Sequence, residues 1–511
     1  MDSANDNLFL ALRQGFPEDL QACAIEVADA AAPLRYSWLD LERASAMLAN
    51  WLEQLQLEPA SRVLVQVDKS VEALTLYLAV LRAGHVYVPL NSAYQDAELA
   101  YFIEDAKPAV VVCAGRNFGW ISKLAFTRGV PWVFTLNEDR SGTLLDRAQH
   151  MSDQHQVAHK RGSELAAILY TSGTTGRSKG AMLSHANLLS NAQVLKDLWA
   201  WRGEDVLIHA LPIFHVHGLF VASHGALLAG ARMLWVNRFD AATVLALLPR
   251  ATVFMGVPTL YVRLLAERGL TPQHCAAMRL FISGSAPLLL ETFRSWQERT
   301  GHTILERYGM SETLMLSSNP YDPQQRMGGT VGPALPGVGL RVVDDAGQPC
   351  AAEHIGHIQV RGPNVFSGYW CMPEKTAAEF SADGWFKTGD VGQLDAQGYL
   401  RIVGRSKDLI ISGGYNVYPA EVEGFINELP GVAESAVIGA PHPDFGEAVV
   451  AVVVAQAGAT PDAAQMLATL KQRIAGFKVP KQLLLVPELP RNAMGKVQKN
   501  LLRQQYQDLF A

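Results

Sequence analysis

The chain is poor in cysteine, and its cysteines are not grouped. The five of them, spread over 511 residues, are Cys23, Cys113, Cys275, Cys350 and Cys371. No two have the spacing of a zinc site or of a C-x-x-C redox motif. Scattered thiols of this kind are typical of a reducing compartment, where they usually serve as small buried side chains. Nothing here supports a disulfide scaffold or a cysteine-ligated metal.

The sequence also lacks a basic excess and a long uninterrupted apolar run. Its net charge is −6, so there is no electrostatic reason to expect nucleic acid as a partner. The most apolar window, residues 218–236, is broken by His224 and Arg232, which predicts a buried helix and strand rather than a membrane span. The first residues, MDSANDNLFL, lack the basic flank of a signal peptide. We therefore expect a cytoplasmic protein that binds neither nucleic acid nor membrane.

What the chain does contain is a regular alternation of short β-branched runs and helical stretches. A length of 511 residues with 49% hydrophobic side chains can bury more than one core. The alternation predicts an α/β fold with several layers and mostly parallel sheets. The runs expected to form strands include residues 63–67, 109–113, 168–170, 207–210, 252–255 and 280–283.

The pattern changes near a polar stretch, Arg405 to Asp408, which has the character of an interdomain hinge. Beyond it we expect helices around 419–428 and 463–474 and strands at 435–439 and 448–455. This is enough for a separate α+β domain of about a hundred residues. The predicted domains are residues 1–405 and residues 406–511.

One segment stands out chemically: Tyr170–Gly180 reads YTSGTTGRSKG. Its glycines allow backbone N–H groups to crowd around an anion, its hydroxyls donate hydrogen bonds, and Lys179 adds a positive charge. It is not a Walker loop, because no Gly-Lys-Ser/Thr follows at the required spacing. The segment predicts a phosphate cradle, with a flexible polar loop as the alternative.

This loop resembles the signature of the adenylate-forming superfamily, which includes acyl-CoA synthetases, luciferases and peptide-synthetase adenylation domains. Further segments along the chain carry the same resemblance: FISGSAPL (281–288), ERYGMSET (306–313), FKTGDVG (386–392), GRSKDLIISGGYNVYPAEVE (404–423) and PRNAMGKVQK (490–499). The resemblance implies a ligase that activates a carboxylic acid as an acyl-adenylate, using ATP, Mg²⁺ and CoA. It also implies a large N-terminal domain that binds ATP and acid, and a small mobile C-terminal domain.

Carried over residue by residue, the resemblance implies that a set of side chains and backbone groups binds the nucleotide. The set is Thr171, Ser172, Gly173, Thr174, Thr175, Lys179, Gly284, Ser285, Ala286, Glu306, Arg307, Tyr308, Gly309, Met310, Ser311, Thr313, Asp390 and Arg405. Tyr308 is expected to stack on adenine, and Asp390 to accept from the ribose hydroxyls. Arg405 would bridge ribose and phosphate. Glu312, with Thr174, would hold Mg²⁺.

The resemblance also implies catalytic roles for Lys496, Glu312 and His215. Lys496 would neutralise the charge that develops where the carboxylate attacks the α-phosphate, a step that depends on electrostatic stabilisation. His215 would lie near the reacting carbonyl. Acetylation of Lys496 would remove its charge, so a lysine acetyltransferase and a deacetylase are expected as partners.

A swing of the C-terminal domain after adenylation is the last implication of these motifs. Its hinge position is Lys407, where many relatives carry Asp. The swing would withdraw Lys496 and bring Gly413 and Gly414 to line a tunnel for pantetheine, where a side chain would block the passage.

The acid is predicted from MGVPTLYVRLL (255–265). With Thr259 as N-cap of a helix, Arg263 would lie one turn on, on the same face, where it could pair with a second carboxylate. The alternative is an ordinary surface arginine. Ser283 and Ser285 could add hydrogen bonds, whereas Arg279 is a less attractive anchor because it lies a whole strand away.

Several segments, among them HALPIFHVHGLFVAS (209–223), resemble malonyl-CoA synthetases most. We therefore expect malonate as the acid, with methylmalonate tolerated, in a monomer or a homodimer. The alternatives are a CoA ligase for another short or medium acid, a stand-alone adenylation enzyme that loads a carrier protein, a luciferase-like monooxygenase, and a scaffold without catalysis.

Overall fold

The computed structural model describes residues 4–28, 34–171, 178–492 and 495–510. Within them the chain forms four β-sheets, of which three lie before residue 406 and one after residue 409. Two of the first three sheets are largely parallel and are covered by helices. The predicted fold class is confirmed: a large multi-layer α/β region is followed by a small α+β region.

The first of these sheets carries the predicted phosphate loop. As far as the described residues extend, its six strands lie in the order Trp132–Thr135, Val110–Cys113, Arg62–Gln66, Val86–Pro89, Leu165–Thr171 and Lys179–Ser184. Its central strands are buried on both faces, as expected for parallel strands rich in valine. The last two strands are antiparallel, and their register sets Thr171 opposite Lys179.

The second sheet brings the other N-terminal motifs together. Its eight strands within the described chain run in the order Leu314–Ser318, Leu305–Met310, Leu280–Ser283, Val253–Gly256, Val206–His209, Arg232–Trp235, Cys23–Val27 and Leu34–Ser37. All pairs are parallel except the outermost one at each edge. Ligand-binding residues of parallel sheets gather where the strands end, and His209, Ser283 and Met310 are such ends.

A third sheet was not predicted from the sequence. It is antiparallel, with strands Gly339–Val343, Gly356–Arg361, Phe386–Leu394 and Leu400–Arg405. Polar residues interrupt these strands, so they lack the continuous apolar runs that mark buried parallel strands. Its register places Asp390 opposite Arg405, two of the predicted nucleotide ligands.

The sheet beyond the hinge region has its own core. Its strands are Tyr415–Val417, Ile410–Ser412, Gly446–Ala455 and Val432–His442, with Gln482–Val486 beside Gly446–Ala455. Helices Pro419–Asn427, Ala463–Arg473 and Lys499–Gln505 pack with it. The predicted helices are confirmed, and the two predicted strands are longer than expected. A short 3₁₀ turn, Ser406–Asp408, separates this unit from the preceding sheet.

Helices of the larger region cover the two mainly parallel sheets. Those that the structure describes are Leu8–Gln14, Trp38–Gln54, Val71–Arg82, Asp96–Ala106, Phe118–Thr127, Thr143–Ala148, His185–Leu198, His224–Ala229, Ala241–Leu247, Pro258–Ala266, Leu290–Thr300 and Pro373–Glu379. A π-helical turn, His217–Ser223, precedes His224–Ala229, so the apolar window 218–236 is a buried helical stretch and a strand, as predicted. Among the described residues, no helix has the length and apolar character needed to span a membrane.

Candidate active site

The predicted catalytic lysine lies in a tight turn of the C-terminal region. The backbone N–H of Lys496 donates to Asn492 Oδ1 at 3.0 Å, and Arg491 Nη1 donates to the carbonyl of Gly495 at 2.6 Å. Gly495 has φ +75°, and a Cβ placed there would lie 3.5 Å from Oγ1 of Thr259. The turn therefore packs against the Pro258–Ala266 helix of the larger region.

The electrostatic surroundings of Lys496 are those of the predicted nucleotide site. Desolvation and, to a smaller extent, the charge of Arg405 lower the pKa of Lys496 to about 8, while Asp390 and Glu312 oppose the shift. Groups act on each other in this way only at short range in a partly dry site. The structure thus brings Lys496 beside residues that are 91 to 184 positions earlier in the sequence.

The phosphate hairpin presents Thr171 and Lys179 at its described ends. Lys179 Nζ lies 3.6 Å from Glu379 Oε1 and 4.1 Å from the ring centroid of Tyr369. Four other predicted phosphate ligands lie outside the described residues: Ser172, Gly173, Thr174 and Thr175.

Glu312 is the predicted metal carboxylate, and it is almost fully buried at 5% exposure. The hydroxyl of Tyr369 donates to its Oε1 at 3.0 Å. Burial raises the pKa of Glu312, and the nearby Lys179 and Arg405 counteract that rise. A carboxylate oxygen in this setting suits a hard cation, which would keep the group ionised. Tyr369 belongs to none of the predicted motifs, and sequence reasoning missed it.

Tyr308, Asp390 and Arg405 meet as one hydrogen-bonded group. The Tyr308 hydroxyl donates to Asp390 Oδ2 at 2.5 Å, and Arg405 Nε lies 3.1 Å from Asp390 Oδ1. The negative charge of Asp390 raises the pKa of Arg405. Neighbouring Gly309, Met310 and Ser311 are half-buried at the end of the same strand, and Thr313 is fully buried behind them.

The loop after the strand Leu280–Ser283 lies directly on the guanidinium of Arg307. A Cβ added to Gly284 would come within 2.6 Å of Arg307 Cζ, so a larger residue there would displace the guanidinium. Ser285 has φ +71°, and its Oγ lies 3.3 Å from Nδ1 of His217. Ala286 continues the loop, and Glu306 Oε1 accepts from the backbone N–H of Leu288 at 3.0 Å. Burial raises the pKa of Glu306 to about 8.

Arg307, which was predicted as a nucleotide ligand, is a buried guanidinium whose charge acts on His215 and His217. It is 2% exposed, and its Nε and Nη2 have no hydrogen-bond partner among the described residues. Burial lowers the pKa of Arg307 to about 9. The Oγ of Ser283 is likewise buried and unpartnered within the described chain. Such donors are costly unless an anion pairs with them, so they form a candidate anion-binding spot.

Two histidines of the HVHG segment lie beside this spot. Desolvation, together with the charges of Lys496 and Arg307, lowers the pKa of His215 to about 3. The pKa of His217 is lowered too, chiefly by burial, and its Nε2 has no partner in the described part of the chain. Both imidazoles are therefore neutral near pH 7. Each has one ring nitrogen that donates a hydrogen bond and one that accepts a hydrogen bond.

A cavity of about 500 Å³ adjoins the Lys496 turn. Its walls include Phe214, Thr259 and Arg263 on one side and Asn492 and Gly495 on the other. It is large enough for a small ligand or the arm of a larger one.

The helix begins at Pro258, close to where it was expected, but the predicted N-cap, Thr259, is wrong. Val257 is the N-cap and Pro258 is the first helical residue, the position where the fixed φ of proline is favourable. Arg263 still lines the cavity, but its side chain is exposed and sits in the last turn. Arg279 is tied into the scaffold, since its Nε donates to Asp205 Oδ1 at 2.7 Å.

The predicted hinge and tunnel residues are on the surface of the C-terminal region. Lys407 is exposed in the 3₁₀ turn, and Gly413 and Gly414 form the exposed tip of a hairpin. Their φ angles of +58° and +82° are ones that a side chain would strain.

Comparisons with known proteins identify the family of the chain. The profile of the AMP-binding enzyme family matches residues 19–370, and that of the AMP-binding enzyme C-terminal domain matches residues 421–496. A mitochondrial malonate–CoA ligase from Mus musculus is 37% identical over 462 residues, covering 83% of this chain and 78% of the relative.

The solved structures of MatB from Rhodopseudomonas palustris are similar over 99% of this chain and 100% of theirs, at 53% identity. The TM-score is 0.96 for the ATP-bound form and 0.85 for the apo form. The arrangement described here is thus nearer to that of the ATP-bound relative. On the family profiles and these relatives, the chain belongs to the family of AMP-binding enzymes.

Proposed function

We propose that this chain is an ATP-dependent malonate–CoA ligase, which forms malonyl-adenylate and then malonyl-CoA, AMP and pyrophosphate. The observation that carries the choice of acid is Arg307, a buried guanidinium with unpartnered donors beside His215 and within the field of Lys496. The similarity to malonate–CoA ligases supports the same assignment. Methylmalonate is the second expected acid.

The argument for a diacid is electrostatic. Malonate has one carboxylate to activate and a second only one carbon away, so its anchor must lie close to the reacting group. Arg307 and Ser283 offer buried donors for that second carboxylate, whereas a monocarboxylate would leave the guanidinium without a partner. Arg263 would contribute from the cavity wall, where exposure to solvent screens its charge.

The nucleotide roles rest on the converging side chains. Tyr308 would stack on adenine beside Gly284–Ala286, and Asp390 and Arg405 would bind the ribose. Thr171 and Lys179 would bind the phosphates. Mg²⁺ would be held by Glu312 and phosphate oxygens, with Thr174 as a further ligand, and would supply positive charge against the phosphates.

Adenylation requires an oxygen of malonate to attack the α-phosphorus while the bond to pyrophosphate breaks. Lys496 would neutralise the charge that accumulates there. In the second step the thiol of CoA loses its proton and attacks the acyl carbonyl, and AMP leaves with the electron pair. The neutral His215 would orient the thiol or the carbonyl. A swing at Lys407 would bring Gly413 and Gly414 into place for this step.

Several wider assignments belong to the same proposal. The moving unit would be residues 406–511, on a domain of residues 1–405. A lysine acetyltransferase and a deacetylase would act on Lys496. The protein would be a cytoplasmic monomer or homodimer.

The reaction class is tested by incubating the purified protein with malonate, MgATP and CoA and identifying every product by mass spectrometry. We expect malonyl-CoA and AMP in equal amounts, and pyrophosphate exchange without CoA. Formation of ADP would contradict the mechanism. Adenylate that never passes to free CoA would favour an enzyme that loads a carrier protein.

The lowered pKa of Lys496 predicts a pH dependence of adenylation. The ammonium form is active and is lost as the pH rises through about 8. Above that pH, kcat/KM for MgATP in pyrophosphate exchange should fall by about tenfold per pH unit. Thioester formation from synthetic malonyl-adenylate should not fall over this range, because it does not use Lys496 and the CoA thiol ionises there. A parallel decline of both half-reactions would contradict the role of Lys496.

A further inference from the structure

The helix Asp96–Ala106 holds both ends of the phosphate hairpin. The Tyr101 hydroxyl donates to the backbone carbonyl of Ser178 at 2.6 Å, next to Lys179. At the other end, the Tyr170 hydroxyl donates to Asp105 Oδ2 at 2.5 Å, next to Thr171. One helix therefore holds Tyr170 and Ser178, the two residues next to the proposed phosphate ligands Thr171 and Lys179.

The opposite side of the hairpin is fixed by Trp370. Its backbone N–H donates to the carbonyl of Gly180 at 2.7 Å, and its indole N–H donates to the carbonyl of Asp105 at 3.0 Å. The guanidinium of Arg62 lies 5.2 Å from the indole ring. The helix and the hairpin are thus joined through a second, independent connection.

The Tyr170 hydroxyl remains a hydrogen-bond donor. Burial and the neighbouring Asp105 raise the pKa of Tyr170 well above its usual value, so the hydroxyl keeps its proton throughout the working pH range. The rings also pack: Phe102 lies 4.6 Å from Tyr170 and 5.5 Å from Tyr101, centroid to centroid. Replacing a tyrosine with phenylalanine removes the hydrogen bond and leaves this packing in place.

We propose that Tyr101 and Asp105 are positioning residues for adenylation. They hold Thr171 and Lys179 at the spacing that the phosphates of ATP require before the nucleotide arrives. Groups that are fixed in advance need no ordering during the reaction, which is the main source of catalysis in nucleotidyl and phosphoryl transfer. The inference rests on the proposed function, since it needs the hairpin to bind ATP.

The test compares Tyr101→Phe and Tyr170→Phe with Tyr94→Phe. Tyr94 packs on Phe102 at 5.0 Å, and its hydroxyl donates to no other residue in the described part of the chain, so its variant is the matched control. Each variant is assayed for the KM of MgATP in pyrophosphate exchange, for thioester formation from synthetic malonyl-adenylate, and for thermal stability. The loss of one such hydrogen bond should raise the KM of MgATP by about 3- to 10-fold.

We expect that rise for Tyr101→Phe and Tyr170→Phe, with thioester formation and melting temperature close to those of the wild type. The proposal is overturned if both variants match Tyr94→Phe in KM, or if both half-reactions slow equally, as a general folding defect would cause. Exchange can be measured with whichever acid the wild type activates. Failure of malonate as substrate is therefore distinguishable from failure of this proposal.

Discussion

Replacing Lys496 with alanine is expected to lower the rate of malonate-dependent pyrophosphate exchange by a factor of about 10² to 10³. The reason is that Lys496 places an ammonium group within electrostatic range of Asp390, Glu312 and Arg405, in a site that is largely desolvated. Thioester formation from synthetic malonyl-adenylate should survive, because the proposed swing would withdraw this side chain before CoA reacts. The two half-reactions are measured separately on the same preparation.

Lys499→Ala is the matched control for this variant. Lys499 lies three residues on, and its Nζ is 2.6 Å from Glu423 Oε1 within the C-terminal region. The Lys499→Ala variant should keep both half-reactions. Protein that is enzymatically acetylated at Lys496 should behave like the Lys496→Ala variant. Unchanged exchange in Lys496→Ala, or an equal loss of both steps, would contradict the assignment.

Replacing Arg307 with methionine is expected to reverse the preference for a diacid. The kcat/KM for malonate should fall by about 10² to 10³, the usual cost of removing one partner of a buried charge pair. Butyrate, which has no second carboxylate, should lose far less and could gain. Methionine fills most of the space of the arginine stem, and removing an unpaired buried charge should keep or raise the melting temperature of the protein without substrate.

Arg263→Ala is the comparison that locates the anchor. Arg263 lines the cavity from an exposed position, so its removal should reduce kcat/KM for malonate by about 5-fold or less. If Arg263→Ala selectively loses malonate while Arg307→Met keeps it, the second carboxylate is bound at the cavity wall and the role given to Arg307 is wrong. Steady-state kinetics with malonate and butyrate decides between the two.

Local motifs allowed much of this site to be predicted from the sequence. The Tyr170–Gly180 and Glu306–Thr313 segments are continuous, so their backbone chemistry can be recognised without knowledge of the fold. The surroundings of Arg307 could not be predicted in this way, because the glycine that covers it, Gly284, comes from the loop after another strand. Tyr369 was missed for the same reason: its bond to Glu312 joins residues 57 positions apart.

For the fold, too, some elements could be predicted from local sequence patterns and others could not. Valine-rich runs such as Val110–Cys113 were predicted as strands because burial on both faces leaves a clear apolar pattern. The sheet that carries Asp390 and Arg405 has polar interruptions and gave no such signal. The error at Thr259 was avoidable, since Pro258 favours the first helical position.

The central claim is the choice of acid, and a competition experiment tests it most directly. The wild-type protein is given MgATP, limiting CoA and equal concentrations of acetate, malonate, methylmalonate, succinate, octanoate and benzoate, and the CoA thioesters are quantified together. Their ratios are the ratios of kcat/KM. Our account predicts that malonyl-CoA dominates, with methylmalonyl-CoA second. A monocarboxylate thioester as the main product would contradict it.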